Sequence, residues 1–186
     1  AYWVYHNAGL AFIKSNNKGY LMAARTCFRN ALKLNRKYAP SLNELGLYYQ
    51  NSYNNIRAKE YFLKAIKACA DYKYPYFNLA KIYKESAQYE RAKVFLLKAI
   101  KIDPDYAAAL NYLGTIYYEE NMYNAAMYYY VRATEAQPEF KYAYYNMSLI
   151  FEIDGKIKKA YQVLERAKAC DSEYELALQE IQRLKK

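Results

Sequence analysis

His6 is the only histidine in this chain of 186 residues. A nucleophile activated by an imidazole would have to be built on it, and it falls in the first turns of the first helix. Three cysteines, Cys27, Cys69 and Cys170, stand far apart, with no Cys-x2-Cys. One histidine does not complete a zinc set with them. They read as reduced, partly buried thiols, which favours a reducing compartment. Glu119 and Glu120 are adjacent on a helix end and point apart, a poor geometry for a general acid and base. Glu152 and Asp154 flank a turn. Gly-x-Ser-x-Gly, His-Glu-x2-His and a phosphate-binding glycine loop are absent. The expectation is a chain that is not an enzyme, has no catalytic, cofactor-binding or metal-binding residues, and works through a surface.

That surface has to be carried by a repeat. Ala24, Ala58, Ala92, Ala126 and Ala160 stand 34 residues apart, and so do Ala31, Ala65, Ala99, Ala133 and Ala167. Between the members of each pair sits a large residue: Phe28, Phe62, Leu96, Tyr130 or Leu164. Alanines two turns apart share one helix face. Small residues there let a neighbouring helix approach to the short end of the usual ~8–10 Å. An upstream signature recurs as Leu42-x2-Leu45-Gly46-x2-Tyr49, Tyr76-x2-Leu79-Ala80-x2-Tyr83, Leu110-x2-Leu113-Gly114-x2-Tyr117 and Tyr144-x2-Met147-Ser148-x2-Phe151. Its offsets mark one stripe of another helix. Each repeat is therefore helix, short turn, helix.

The breaks agree. Pro40, Pro75, Pro104 and Pro138 fall between repeats, where proline can open a helix but not continue one. Asp154-Gly155 and Ser15-Asn16-Asn17-Lys18-Gly19 fall between the two helices of a repeat. The repeats are expected near 2–38, 39–72, 73–106, 107–140 and 141–174, with about three extra residues in that Ser-Asn-Asn-Lys loop. Residues 175–186 form a last amphipathic helix with Leu176, Leu178, Ile181 and Leu184 on its apolar side, covering the open end of the stack.

The period of 34 and these signatures resemble the tetratricopeptide repeat family over nearly the whole chain. Residues 107–140 lie closest to the family pattern. The first repeat departs most, with Ala8-Gly9-x2-Phe12 and with Arg36 where the family often has proline. The resemblance implies an all-α, right-handed α-solenoid of eleven helices in a single domain spanning residues 1–186. It also implies a non-catalytic scaffold or adaptor that holds a peptide or helix of another protein in a concave groove lined by first helices. The groove residues are then Trp3, His6 and Asn7; Tyr74, Phe77, Asn78 and Lys81; Asn111, Thr115 and Tyr118; and Tyr142, Tyr145, Asn146 and Leu149. The aromatics would anchor the partner. Asparagine can both donate to and accept from a peptide backbone. A chaperone-tail carboxylate clamp is argued against: repeats one to three offer His6 with Leu10, Glu44, and Phe77 with Lys81, and the leading lysine is absent.

The net charge of +10 is uneven. Residues 1–38 hold seven cations and no acid, and Arg25, Arg29 and Lys33 form a ridge four residues apart. This basic patch sets up an alternative, binding of nucleic acid or an anionic surface through the first repeat. Another alternative is a regulatory repeat domain of a larger protein. Self-association stays open. No stretch approaches ~18 consecutive apolar residues, so no membrane span is expected. The compartment expected is the cytoplasm. The alternative is a periplasmic or membrane-anchored protein held by an upstream segment.

Overall fold

A computed structural model of the protein describes residues 1–15 and 20–184. Among the described residues there are eleven α-helices and no strand: α1 (Tyr2–Lys14), α2 (Tyr20–Leu34), α3 (Ala39–Asn51), α4 (Asn55–Ala68), α5 (Lys73–Glu85), α6 (Tyr89–Ile102), α7 (Ala107–Glu119), α8 (Tyr123–Ala136), α9 (Lys141–Ile153), α10 (Ile157–Cys170) and α11 (Glu175–Leu184). Consecutive helices pack as five hairpins, α1–α2 to α9–α10, and α11 packs on α10. Ala1–Ile102 and Asp103–Lys186 form two compact units, so the first holds α1 to α6 and the second α7 to α11.

Both alanine ladders are buried, none of the ten more than 2 % exposed. The large residue between them meets the middle of the partner helix. A Cβ on Gly9 would stand 2.5 Å from the Phe28 ring and one on Gly114 2.6 Å from the Tyr130 ring, and one on Gly46 would clash with Phe62. Where the large residue is Leu96 or Leu164, the corresponding first-helix position holds Ala80 or Ser148. Ring opposes glycine and leucine opposes a small side chain, because close-packed interiors conserve local volume. Burying each such leucine contributes roughly 1.5–3 kcal/mol.

The hairpin turns repeat as closely. Tyr53, Ala87, Asn121 and Gly155 all have positive φ, between 54° and 69°. Beyond each, an amide reaches back to the last turn of the first helix: Asn54 to Tyr49 O (2.9 Å), Gln88 to Tyr83 O (2.8 Å), Met122 to Tyr117 O (2.8 Å) and Lys156 to Phe151 O (2.7 Å). This is a left-handed helix stop that satisfies the orphan carbonyls. Only one of the four turns has glycine at the left-handed position. The prolines act at the other junctions. Pro40 and Pro75 lie within the first turn of α3 and α5, and Pro104 and Pro138 lie in the turns before α7 and α9.

Three expectations are revised or bounded. The apolar side of α11 is not Leu176, which is 47 % exposed. Tyr174, Ala177 and Ile181 are buried with Leu164 and Ala167, and Leu184 packs beside them. Spacing of three and four brings these residues to one face, and Leu176 points about 100° away from Ala177. Cys27 and Cys170 are half-buried, but Cys69 is exposed, and all three are free. The three extra residues assigned to the first loop, and Lys185 and Lys186 of the last helix, lie outside the described residues.

Candidate functional site

In the N-terminal unit, α1, α3 and α5 carry the expected groove residues. Trp3 is 56 % exposed and Asn7 is exposed, both on α1. His6, expected on the open face, is buried. Its Nδ1 shares a 3.1 Å hydrogen bond with Ser41 Oγ, and its ring packs 5.5 Å from Phe28 and 5.2 Å from Tyr38. Burial pushes its pKa below the ordinary histidine value, which favours the neutral ring. On α5, Tyr74 is exposed with its ring 5.2 Å from Tyr72, and Phe77 and Lys81 are half-buried. Asn78 is buried and donates to Asn43 Oδ1 at 2.9 Å. Asn43 in turn donates to Glu44 Oε1 at 3.2 Å. Burial raises the Glu44 pKa, and the bond from Asn43 opposes the rise. Glu44 borders a small pocket of about 140 Å³ whose other walls include Ile13, Leu21, Phe28 and Leu47.

In the C-terminal unit, α7, α9 and α11 build a half-exposed face. Asn146 donates to Asn111 Oδ1 at 2.9 Å. Thr115 Oγ1 donates back to Asn111 O at 3.0 Å. Tyr118 lies 5.6 Å from the Tyr123 ring, and Tyr145 lies 5.9 Å from Tyr174. Tyr142, 49 % exposed, packs edge-on to Tyr174 at 5.7 Å. Leu149 is half-buried one turn beyond Tyr145. The phenols of Tyr118 and Tyr145 are raised, chiefly by burial and then by neighbours that include the Glu152 carboxylate. Arg183 of α11 closes this face with ion pairs to Glu152 and, at 2.5 Å, to Glu180. Lys141 pairs with Asp171 and stands 4.8 Å over the Tyr174 ring.

Glu180, Arg183 and Tyr174 were not among the expected site residues. The capping role expected of the last segment involves its apolar side only. The asparagines were expected to bond a peptide backbone, and the structure pairs Asn43 with Asn78 and Asn111 with Asn146. Asn43–Asn78 and Asn111–Asn146 are each 35 residues apart, and the second pair repeats the first two repeats later. That double period is the signal in the sequence that marks the pairs.

The basic ridge divides. Arg29 and Lys33 are exposed, but Arg25 is half-buried, its guanidinium 5.5 Å from the Tyr48 ring and 5.9 Å from Tyr49. Tyr49 stacks on Tyr61 at 5.3 Å, Tyr83 on Phe95 at 5.4 Å and Tyr117 on Tyr129 at 5.5 Å. Each stack joins the two helices of one hairpin.

A tetratricopeptide repeat model matches residues 39–72 and 74–106, the hairpins α3–α4 and α5–α6. Those two hairpins are tetratricopeptide repeats. An Est1 DNA/RNA binding domain model also matches, over residues 92–179. Among solved structures, PilF of Pseudomonas aeruginosa is 18% identical, with 98% of this chain and 86% of that one covered at a TM-score of 0.83. PilW, described as a type IV pilus biogenesis factor, is 17% identical over 98% and 85%, at 0.81. YrrB, described as having an unusual peptide-binding site, is 22% identical over 96% and 90%, at 0.66. At these identities the likeness is one of fold. No curated protein matches the chain. Tetratricopeptide repeats are in general non-catalytic modules for protein–protein interaction. No helix among the described residues is long and apolar enough to cross a membrane.

Proposed function

We propose that the protein is a scaffold or adaptor that holds a peptide or helix of another protein on the faces of its first helices. The observation that carries this reading is the half-exposed face of α7, α9 and α11. There Tyr118, Tyr145 and Glu152 lie together beside a partly open Asn111–Asn146 pair. Tyrosines offer apolar area with a polar tip. A part-buried asparagine pair keeps donors and acceptors for a peptide backbone. In the N-terminal unit Tyr74, Phe77 and Lys81 of α5 and Trp3 of α1 are the corresponding contacts. His6 and Asn78 act as their supports, because both are buried. The peptide-binding site described for YrrB supports the same reading.

Peptides selected by phage display against the intact protein, then titrated against variants, test it. Tyr118→Ala and Tyr145→Ala should each weaken the best peptide by about 2 kcal/mol. Tyr128→Ala, an exposed tyrosine on α8, should leave it unchanged. Normal binding by both groove variants, with unaltered helical signal, rejects the face.

The Est1 match prompts a nucleic-acid reading. Residues 92–179 hold ten basic and twelve acidic side chains. That segment lacks the excess of cations that phosphate contacts require, so the protein-binding reading is preferred. Tight binding of a single-stranded oligonucleotide that falls steeply with salt would reverse the order.

A further inference from the structure

A second surface lies on the N-terminal unit, between α2 and α4. It is an open groove of about 320 Å³ lined by Arg29, Leu32, Lys33, Arg36, Leu45 and Tyr61. Three of these six are cations, all exposed, and none is an acid. The floor is apolar: Leu45 is buried and Leu32 and Tyr61 are half-buried. The positive field extends past the rim. Lys64 Nζ stands 5.0 Å over the Tyr61 ring. Burial and then Tyr49 raise the Tyr61 phenol, while the guanidiniums of Arg29, Arg25 and Arg57 pull it back. Several cations are therefore held near one another at this groove.

We propose that this groove binds an acidic segment of a partner protein, with Arg29, Lys33 and Arg36 pairing its carboxylates and an apolar side chain resting on Leu32, Leu45 and Tyr61. Arginine forks match carboxylates bidentately. The aromatic geometry favours a peptide over a nucleic acid. Base binding needs free ring faces, but Tyr49 and Tyr61 stack on each other with an interplanar angle of 15°. Cations also stand over both rings: Arg25 and Arg57 over Tyr49, and Lys64 over Tyr61. The site is independent of the face of α7, α9 and α11, and either can fail without the other.

The test titrates a labelled peptide of repeated Glu-Glu-Leu by fluorescence anisotropy. The variant Arg29→Gln/Lys33→Gln/Arg36→Gln should lose about tenfold or more in affinity, since three ion pairs are removed. Lys156→Gln/Lys158→Gln/Lys159→Gln removes the same charge from exposed positions on the C-terminal unit and should change affinity less than twofold, a marginal change. Serine in place of leucine in the peptide should weaken binding to the unaltered protein. Circular dichroism of both variants checks that the helices remain. Equal losses in the two charge variants would overturn the groove in favour of net charge alone. No effect of the leucine-to-serine change would overturn the apolar floor. Tighter binding of single-stranded polyuridylate than of the peptide, abolished by the groove variant, would assign the surface to nucleic acid instead.

Discussion

The protein makes the same asparagine pair twice, once in each unit, and the two copies differ in what surrounds them. Asn43 and Asn78 are 3 % and 7 % exposed, and Asn43 also donates to Glu44. Asn111 and Asn146 keep the same 2.9 Å bond but are only half-buried, beside Tyr118 and Tyr145. A buried pair must satisfy itself, because an unpaired polar group away from water is costly. A partly open pair can share its remaining donors and acceptors. One geometry thus serves as an internal strut in the N-terminal unit and as part of a polar, aromatic face in the C-terminal unit.

The largest expected difference between the units is their response to alkali. Tyr130 and Tyr174, both in the C-terminal unit, have phenols pushed up to about 12 by burial. A pKa raised in the fold gives stability that is whole below the unfolded value near 10 and is lost as pH rises from there toward 12. For Tyr130 the loss approaches about 2–3 kcal/mol. Amide exchange across this window should open α8 to α11 before α3 to α6, and Tyr130→Phe should narrow the gap. Simultaneous opening of both units would show that their stabilities are not separable.

Next in size is the match of ring to glycine. Gly114→Ala should destabilise by roughly 1–3 kcal/mol, because its methyl meets the Tyr130 ring. Adding Tyr130→Leu should recover part of that loss, since it recreates the Ala80 and Leu96 combination. A double variant no better than the sum of its parts would remove the volume argument. Denaturant melts supply both numbers.

The asparagine comparison itself can be broken by truncating one member of each pair. Asn78→Ala leaves the buried Asn43 Oδ1 without its donor and should cost about 1–2 kcal/mol. Asn146→Ala should cost under about 1 kcal/mol, because water can replace it at Asn111. Equal costs would mean that burial does not distinguish the two pairs.

The smallest effect concerns the turns. Tyr53 sits at φ 56° and is 96 % exposed, so Tyr53→Gly relieves strain without removing packing and should stabilise by up to about 1 kcal/mol. Gly155→Ala, with nothing within 4 Å of the new methyl, should cost a similar amount through backbone strain alone. Thermal melts of the two variants should move in opposite directions.

Much of this was legible in the chain itself. The alanine ladders, the large residues between them and the prolines all announce helix hairpins at a step of 34, because a repeated packing unit must repeat its contacts. The candidate site was legible only in part. Tyr118, Tyr142 and Tyr145 could be placed on first helices by periodicity. His6 and Asn78 sit at equally plausible positions by periodicity, yet they turned out to be interior. Helical period gives the direction of a side chain and not the depth of its neighbours. Leu176 shows the same limit from the other side: an apolar residue on an amphipathic helix can still point to water when Ala177 is the one facing the core.

The sequence by itself determined the repeat, the helix pairing and which residues are small where helices meet, since these follow from local periodicity and volume. Only the tertiary structure decided which asparagine bonds which, and that Arg183 reaches Glu152 from the last helix. It also decided that Arg25 lies against tyrosines while Arg29, Lys33 and Arg36 line an open groove. Those outcomes depend on distances between helices from different repeats, and side-chain charge and hydrogen bonding are settled by neighbours that lie some thirty residues away along the chain.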